Sequence, residues 1–295
     1  MSAQRRISRA FKKAKVLPLN PQSKYILFSD CHRGDNSFAD DFSHNRKIYT
    51  YALSQYFNNG FTYVELGDGD ELWENSFKKI FRANKEVFMM LKKFHDDKRI
   101  HFIWGNHDMY YQNPKNISKN YHYYFDSVSE TDKELMINPS FSEAIKLEQD
   151  DGKSMFLLHG HQADWFNYIF WRLSAFLVKI LWKPLQLIGI DDPTSPAKNF
   201  KELIKVEKHF ENWIKANNNQ MTITGHTHRP RFPSKDELPF FNSGSCVHPR
   251  CITGLEIENN KITLIKWHVK TTEEGTMQIE RTILEGPEKI EYYLS

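Results

Sequence analysis

Short apolar runs and longer runs of helical period succeed one another along the first two thirds of the chain. Residues 24–30 (KYILFSD) form a compact apolar run with β-branched and aromatic members, ended by polar residues, and predict a buried strand. Between about residues 40 and 58, Ile48, Ala52, Leu53, Tyr56 and Phe57 recur at helical spacing until Asn59-Gly60 stops them. Residues 61–66 (FTYVEL) predict a second strand. Residues 84–97 predict a helix with Val87, Phe88, Leu91 and Phe94 on one stripe, and residues 99–104 (RIHFIW) a third strand. Residues 155–158 (MFLL) and 221–224 (MTIT) predict a fourth and a fifth, the latter preceded by a helix over 195–216 that Ser195-Pro196 opens. Strands alternating with helices argue for an α/β fold with a layered sheet. The last third changes character. Residues 240–242, 251–258, 261–269 and 276–284 read as strands separated by turns, expected to form antiparallel hairpins that complete a second sheet of the same domain.

Composition narrows the class. Charged residues are 26% and aromatics 14%, which suits a folded globular chain and excludes a disordered one. A mean hydropathy of −0.63 excludes a polytopic membrane protein. Three cysteines, Cys31, Cys246 and Cys251, are too few and too unevenly spaced for a disulfide framework or a structural zinc knot. The net charge of +3 is unevenly spread: Arg5, Arg6, Arg9, Lys12, Lys13 and Lys15 give the first fifteen residues +6, and the rest of the chain carries −3. No apolar core of a secretory signal follows that head, so the reading is a cytoplasmic protein. Residues 1–21 are read as a basic segment and Pro-punctuated linker, ahead of a single domain over 22–295 with an insertion at 164–199.

The chemistry gathers where the strands end. The first ends in Asp30-Cys31-His32, the second in Gly67-Asp68-Gly69-Asp70-Glu71, and the third in Gly105-Asn106-His107-Asp108. The fourth ends in His159-Gly160-His161 and the fifth in Gly225-His226-Thr227-His228. A polar residue after a strand is usually a turn, but five clusters of metal-type ligands are more than turns require. Loops from several strands converge at carboxyl ends in layered α/β folds. Carboxylates mixed with imidazoles and an amide suit Mn²⁺, Fe²⁺ or Zn²⁺. There are too many ligands for one tetrahedral zinc and enough for two ions about 3.5–4 Å apart, sharing a carboxylate. Arg33 and Arg229 adjoin these motifs and are candidate phosphate clamps. His161 is a candidate for contact with substrate or for support of a ligand.

D-x-H, G-D-x-x-E, G-N-H-D, H-G-H and G-H-T-H, in this order over residues 25 to 246, resemble the calcineurin-like metallophosphoesterase family. The resemblance implies a four-layer α/β/β/α sandwich with a dinuclear site on one edge. It implies that Asp30, His32 and His228 hold one divalent ion and Asn106, His159 and His226 the other, with Asp68 bridging. Mn²⁺ is the first choice, then Fe²⁺ or Zn²⁺. It also implies that His107 is the general acid, with Asp108 orienting it and Glu71 fixing ligand geometry. The stretch Gly67-Asp68-Gly69-Asp70-Glu71-Leu72-Trp73 and the G-H-T-H-R-P ending are similar to the UDP-2,3-diacylglucosamine pyrophosphatase branch, which carries Arg where this chain has His107.

Two segments bear on partners. Residues 165–182 (WFNYIFWRLSAFLVKILW) are the most apolar of the chain, with Arg172, Lys179 and Lys183 on one narrow stripe and Pro184 to end the helix. They read either as a core helix or as a lid or groove for an acyl or isoprenoid chain. In the head, Ile7, Ala10, Phe11, Ala14 and Leu17 fall on one helical stripe among basic residues, which reads as a membrane-surface helix or else as a solvated tail. The expected partners are therefore a phosphorylated, lipid-linked substrate and an anionic membrane inner face met through residues 5–17 and 165–183. Nucleic acid is not expected, since the body is acidic and no basic-aromatic stacking pattern recurs. The competing reading is a soluble phosphodiesterase or phosphatase acting on cyclic nucleotides or other small molecules.

Overall fold

Apolar runs too short for helices become the strands of two sheets in a computed structural model that describes residues 1–165, 168, 171, 178 and 200–294. In chain order the elements begin with α1 (Ala3–Lys13), β1 (Lys15–Pro18), β2 (Lys24–Phe28), α2 (Arg46–Asn58) and β3 (Thr62–Leu66). Next come α3 (Phe77–Ala83), α4 (Lys85–Asp96), β4 (Ile100–Ile103), α5 (Pro114–Tyr121), β5 (Tyr123–Asp126) and β6 (Thr131–Glu134). Then follow β7 (Phe141–Ser142), β8 (Ala144–Glu148), β9 (Ser154–Leu158), α6 (Phe200–Ala216) and β10 (Thr222–Thr224). The chain closes with β11 (Phe240–Asn242), β12 (Cys251–Glu258), β13 (Lys261–Thr271) and β14 (Met277–Lys289).

Seven strands make one sheet in the order β14-β13-β12-β2-β3-β4-β7, and five make the other in the order β1-β8-β9-β10-β11. The run in β2 is apolar throughout because both its faces are covered. Tyr25 and Leu27 point inward to meet Leu147, Leu157 and Ile223 of the second sheet. Ile26 and Phe28 point outward to pack with Tyr49, Leu53, Phe88 and Phe94 of α2 and α4. The outer face of the five-stranded sheet is covered by α1 and α6, where Ile7 and Ala10 pack with Phe156, Phe210 and Trp213. The result is four layers, helix, sheet, sheet and helix. β2, β3 and β4 run parallel, as do β9, β10 and β11, so each sheet delivers its motif loops together.

Three expectations change. The terminal hairpins do not complete the second sheet: β12 pairs antiparallel with β2, Leu255 opposite Leu27, and so extends the sheet that holds the first three motif strands. Residues 1–21 are not a segment apart from the domain. β1 pairs parallel with β8, and Ile7 and Ala10 are fully buried, so the apolar stripe of the head faces the protein core and not lipid. Arg6 is buried as well, its Nε donating to Gln162 O at 2.6 Å. Arg5, Lys12 and Lys13 remain exposed. α3, α5, β1 and β5–β8 were not anticipated. Most of the insertion at 164–199, with Arg172, Lys179 and Lys183, lies outside the described residues. Among the described residues, no helix is long and apolar enough to cross a membrane.

The burial of Ile7 gives a test. Ile7→Ala should cost about 2–5 kcal/mol of stability, read as a lower urea midpoint with an unchanged slope. An unmoved midpoint would mean that residues 1–13 stand off the domain.

Candidate metal centre

The hydrogen-bonded ladder between β2 and β3 continues past the strands into their loops. The Asp30 N–H donates to Gly67 O at 3.0 Å, His32 N–H to Asp68 O at 2.8 Å and Arg33 N–H to Gly69 O at 2.9 Å. This zips the first two motif loops together. Asp30, His32, Asp68, His226 and His228 all have positive φ, between 46° and 67°. A side chain in that region costs about 1–3 kcal/mol, and it persists only where the surroundings hold it. Five strained residues in one cluster, all of metal-ligand type, mark a site and not a set of ordinary turns.

The side chains converge. The ligand atoms of Asp30, His32 and His228 lie within 4.8 Å of one another, as do those of Asp68, His159 and His226. His32, Asp68 and His107 form a third such trio. Asn106 joins the second set, its Oδ1 being 3.3 Å from His159 Nε2. The imidazoles are held from behind: His159 Nδ1 is bonded to Leu66 O and His32 Nδ1 to Glu71, each at 2.8 Å. That is how ligating histidines are commonly oriented, with one nitrogen anchored and the other turned to the ion. Asp30 Oδ1, His32 Nε2 and His226 Nε2 are buried and have no well-aligned hydrogen-bond partner among the described residues, although His228 Nε2 lies 3.1 Å from Asp30 Oδ1. Orphaned polar atoms of this kind are costly in a protein interior, and divalent cations would satisfy all three. The donor set fits two such ions.

Charge explains the titration of the cluster. Burial would raise the Asp30 carboxyl, but His228 and His159 hold it well below the usual carboxylate range. Burial would lower His159, but Asp68 and Asp30 push it up to about 9. Burial opposes the Glu71 carboxylate too, yet His107 and His32 hold it at about 2. Each anion here is tied to a cationic or cation-seeking neighbour.

The structure places the remaining sequence-derived candidates differently. Asp108 does not orient His107. Its carboxylate accepts the N–H of Gly105 at 2.6 Å and of Gly69 at 2.8 Å, which pins the third loop to the second. Burial, then Asp68 and Asp70, push it up to about 8. Glu71 is the carboxylate on His107, 2.8 Å from its Nδ1, and the same carboxylate holds His32. Arg33 is not a phosphate clamp: it is fully buried, with Nε on Asp70 at 2.8 Å and both terminal nitrogens on Glu65 at 2.6 and 2.9 Å. Arg229 is exposed, its guanidinium over Phe200 at 5.4 Å. His161 is fully buried, stacked on Tyr168 at 5.8 Å and 5.5 Å from His159.

Sequence reasoning passed over several residues of the site. Glu65 and Asp70 hold Arg33, and Tyr111 and Tyr121 each donate a hydroxyl to Asp70 at 2.8 Å. The signal for Glu65 was present, an acid inside the apolar run FTYVEL. Trp73 stacks on His107 with ring centroids 4.0 Å apart. Burial, then His228, hold His248 below the usual imidazole range.

With this geometry goes a family. The chain belongs to the calcineurin-like phosphoesterase superfamily, whose domain matches residues 24–260. A search among curated proteins finds no match. Similar solved structures include vacuolar protein sorting 29 of Cryptosporidium parvum, at 14% identity and TM-score 0.41, covering 90% of this chain and 98% of that one. Another is a predicted phosphoesterase of Streptococcus pneumoniae TIGR4, at 13% identity and TM-score 0.36, covering 88% and 97%. A third is Vps29 of Entamoeba histolytica complexed with zinc, at 16% identity and TM-score 0.39, covering 89% and 99%.

Gly105 tests the packing of the site. A Cβ there would fall 2.1 Å from Asp68 Oδ1 and 2.6 Å from Asp68 N. Gly105→Ala should therefore displace Asp68 and lower bound divalent metal in the purified protein. Full metal content in that variant would show that Asp68 tolerates the shift.

Proposed function

We propose that the protein hydrolyses a phosphoester or pyrophosphate bond with the help of two divalent ions. One observation carries this reading: two ligand trios with orphaned buried donors sit beside a histidine that has one nitrogen anchored and one left for substrate. Asp30, His32 and His228 would hold one ion, Asn106, His159 and His226 the other, and Asp68 both. When bound, such a pair supplies an activated water and neutralises charge on the phosphoryl group. Glu71 accepts the Nδ1–H of His107, which turns Nε2 toward the leaving oxygen and stabilises the imidazolium form that would donate an Nε2 proton there. Glu71 ties the acid to ligand His32, so the proton donor and the first set of ligands move as one unit.

The finer reading is a lipid-linked or membrane-proximal substrate. Support for it is the apolar run at 165–182 and the likeness of the G-D-x-x-E-x-W and G-H-T-H-R-P stretches to the UDP-2,3-diacylglucosamine pyrophosphatase branch. The second reading is a hydrolase of small diffusible phosphodiesters or phosphomonoesters. The burial of Ile7 and Ala10 favours it, because it removes the apolar stripe of the head from any membrane role.

Asp68→Asn should lower turnover by at least about a hundredfold and reduce bound metal, since one oxygen of the shared carboxylate is lost. Unchanged turnover would refute the site. Co-sedimentation with anionic vesicles separates the two substrate readings. Binding that is lost when Arg5, Lys12 and Lys13 are replaced by Glu supports the membrane-proximal one, and no binding supports the other.

A further inference from the structure

The loop after β3 carries Glu71 and, two residues on, Trp73. Both side chains reach His107, but from different directions. Glu71 takes Nδ1 in the plane of the imidazole. Trp73 lies against its face, with centroids 4.0 Å apart and planes 20° from parallel. His32 stands edge-on to the same ring at 4.5 Å and 86°. An imidazole on a fixed backbone has two ways to go wrong. It can swing out of plane, or it can flip and exchange its nitrogens. The hydrogen bond to Glu71 removes the flip, and the indole face removes the swing. Together they leave one orientation.

Trp73 is 4% exposed, and its Nε1–H is buried with no acceptor among the described residues. A buried donor with no partner is a cost, so the flat apolar face is what the residue supplies. Trp73 also contacts the described residues of the insertion, since it packs with Trp171 and Val178, and Trp171 in turn meets Tyr110 edge-on at 4.8 Å.

We infer that Trp73 is a positioning residue, which holds the His107 ring in the plane where Nε2 faces the leaving oxygen and makes that placement depend on Trp171 and Val178 packed behind it. This rests on the hydrolytic reading above. It goes further in assigning the leaving-group step a dependence on an apolar contact.

The test compares Trp73→Leu and Trp73→Phe with the unaltered protein on two substrates, p-nitrophenyl phosphate and an alkyl phosphate. A p-nitrophenolate leaves without a proton and an alkoxide does not. Trp73→Leu should therefore lose about tenfold or more in kcat on the alkyl ester and little on the nitrophenyl ester, with metal content unchanged. Trp73→Phe keeps a flat face and should restore most of the loss. In a His107→Ala background, Trp73→Leu should cost nothing further. Equal losses on both esters, or additivity with His107→Ala, would overturn the inference and leave the hydrolytic reading standing. Proton NMR of histidine-labelled protein reads the contact without turnover. The His107 ring protons should move downfield in Trp73→Leu, and the Nδ1–H should exchange faster with water. Unmoved resonances would overturn the inference whether or not either ester is cleaved.

Discussion

Two carboxylates, Asp30 and Asp68, are buried among imidazoles at the edge of the sandwich, and the local structure answers to that burden. An ionised carboxylate in a protein interior is tolerated only when paired or bound to metal. Here the partners come from five loops that are far apart in sequence. The chain brings them together by continuing the β2–β3 ladder beyond the strands and by holding five ligand residues at positive φ. It also leaves no room for a side chain at Gly105, against Asp68. These are local costs, and the packed sheets on either side of the central core hold them in place.

Beneath the ligands lies a second buried charge cluster. Arg33 binds Glu65 and Asp70, Asp70 receives Tyr111 and Tyr121, and Glu65 receives Tyr63. One guanidinium therefore ties the first motif loop to the second, and through Tyr111 to the segment after the third. Burial would weaken the Arg33 charge, but Glu65 and Asp70 raise its pKa well above the ordinary value. Such a network is rigid because each member leaves an unpaired charge or donor if another moves. Its effect on function is indirect: it fixes the backbone from which Asp30, His32 and Asp68 project.

Much of this was legible in the sequence, for a physical reason. A strand buried on both faces writes a continuous apolar run, and a loop that must present a ligand interrupts it abruptly, so strand ends and candidate ligands were found together. β2, β3, β9 and β10 emerged within two residues of their expected bounds. Contacts that depend on three dimensions did not. Nothing in the spacing says that Asp108 turns to the backbone of Gly69 and Gly105 while Glu71 turns to His107, because both carboxylates stand at plausible offsets. Arg33 beside a ligand motif reads as a clamp until its burial is known. The stripe of Ile7 and Ala10 is equally suited to lipid and to a protein core, and only the neighbouring Phe156 and Trp213 decide between them. β5 to β7 have four residues or fewer, and β6 (TDKE) is wholly polar, so periodicity could not mark them.

The central claim is that the five loops form a cage for two cations. Anomalous X-ray scattering from crystals grown with Mn²⁺ tests it directly. The account predicts two peaks, one among Asp30, His32 and His228 and the other among Asn106, His159 and His226, with Asp68 between them. No peak at this edge of the sandwich, or a manganese bound elsewhere with these side chains unliganded, would contradict it.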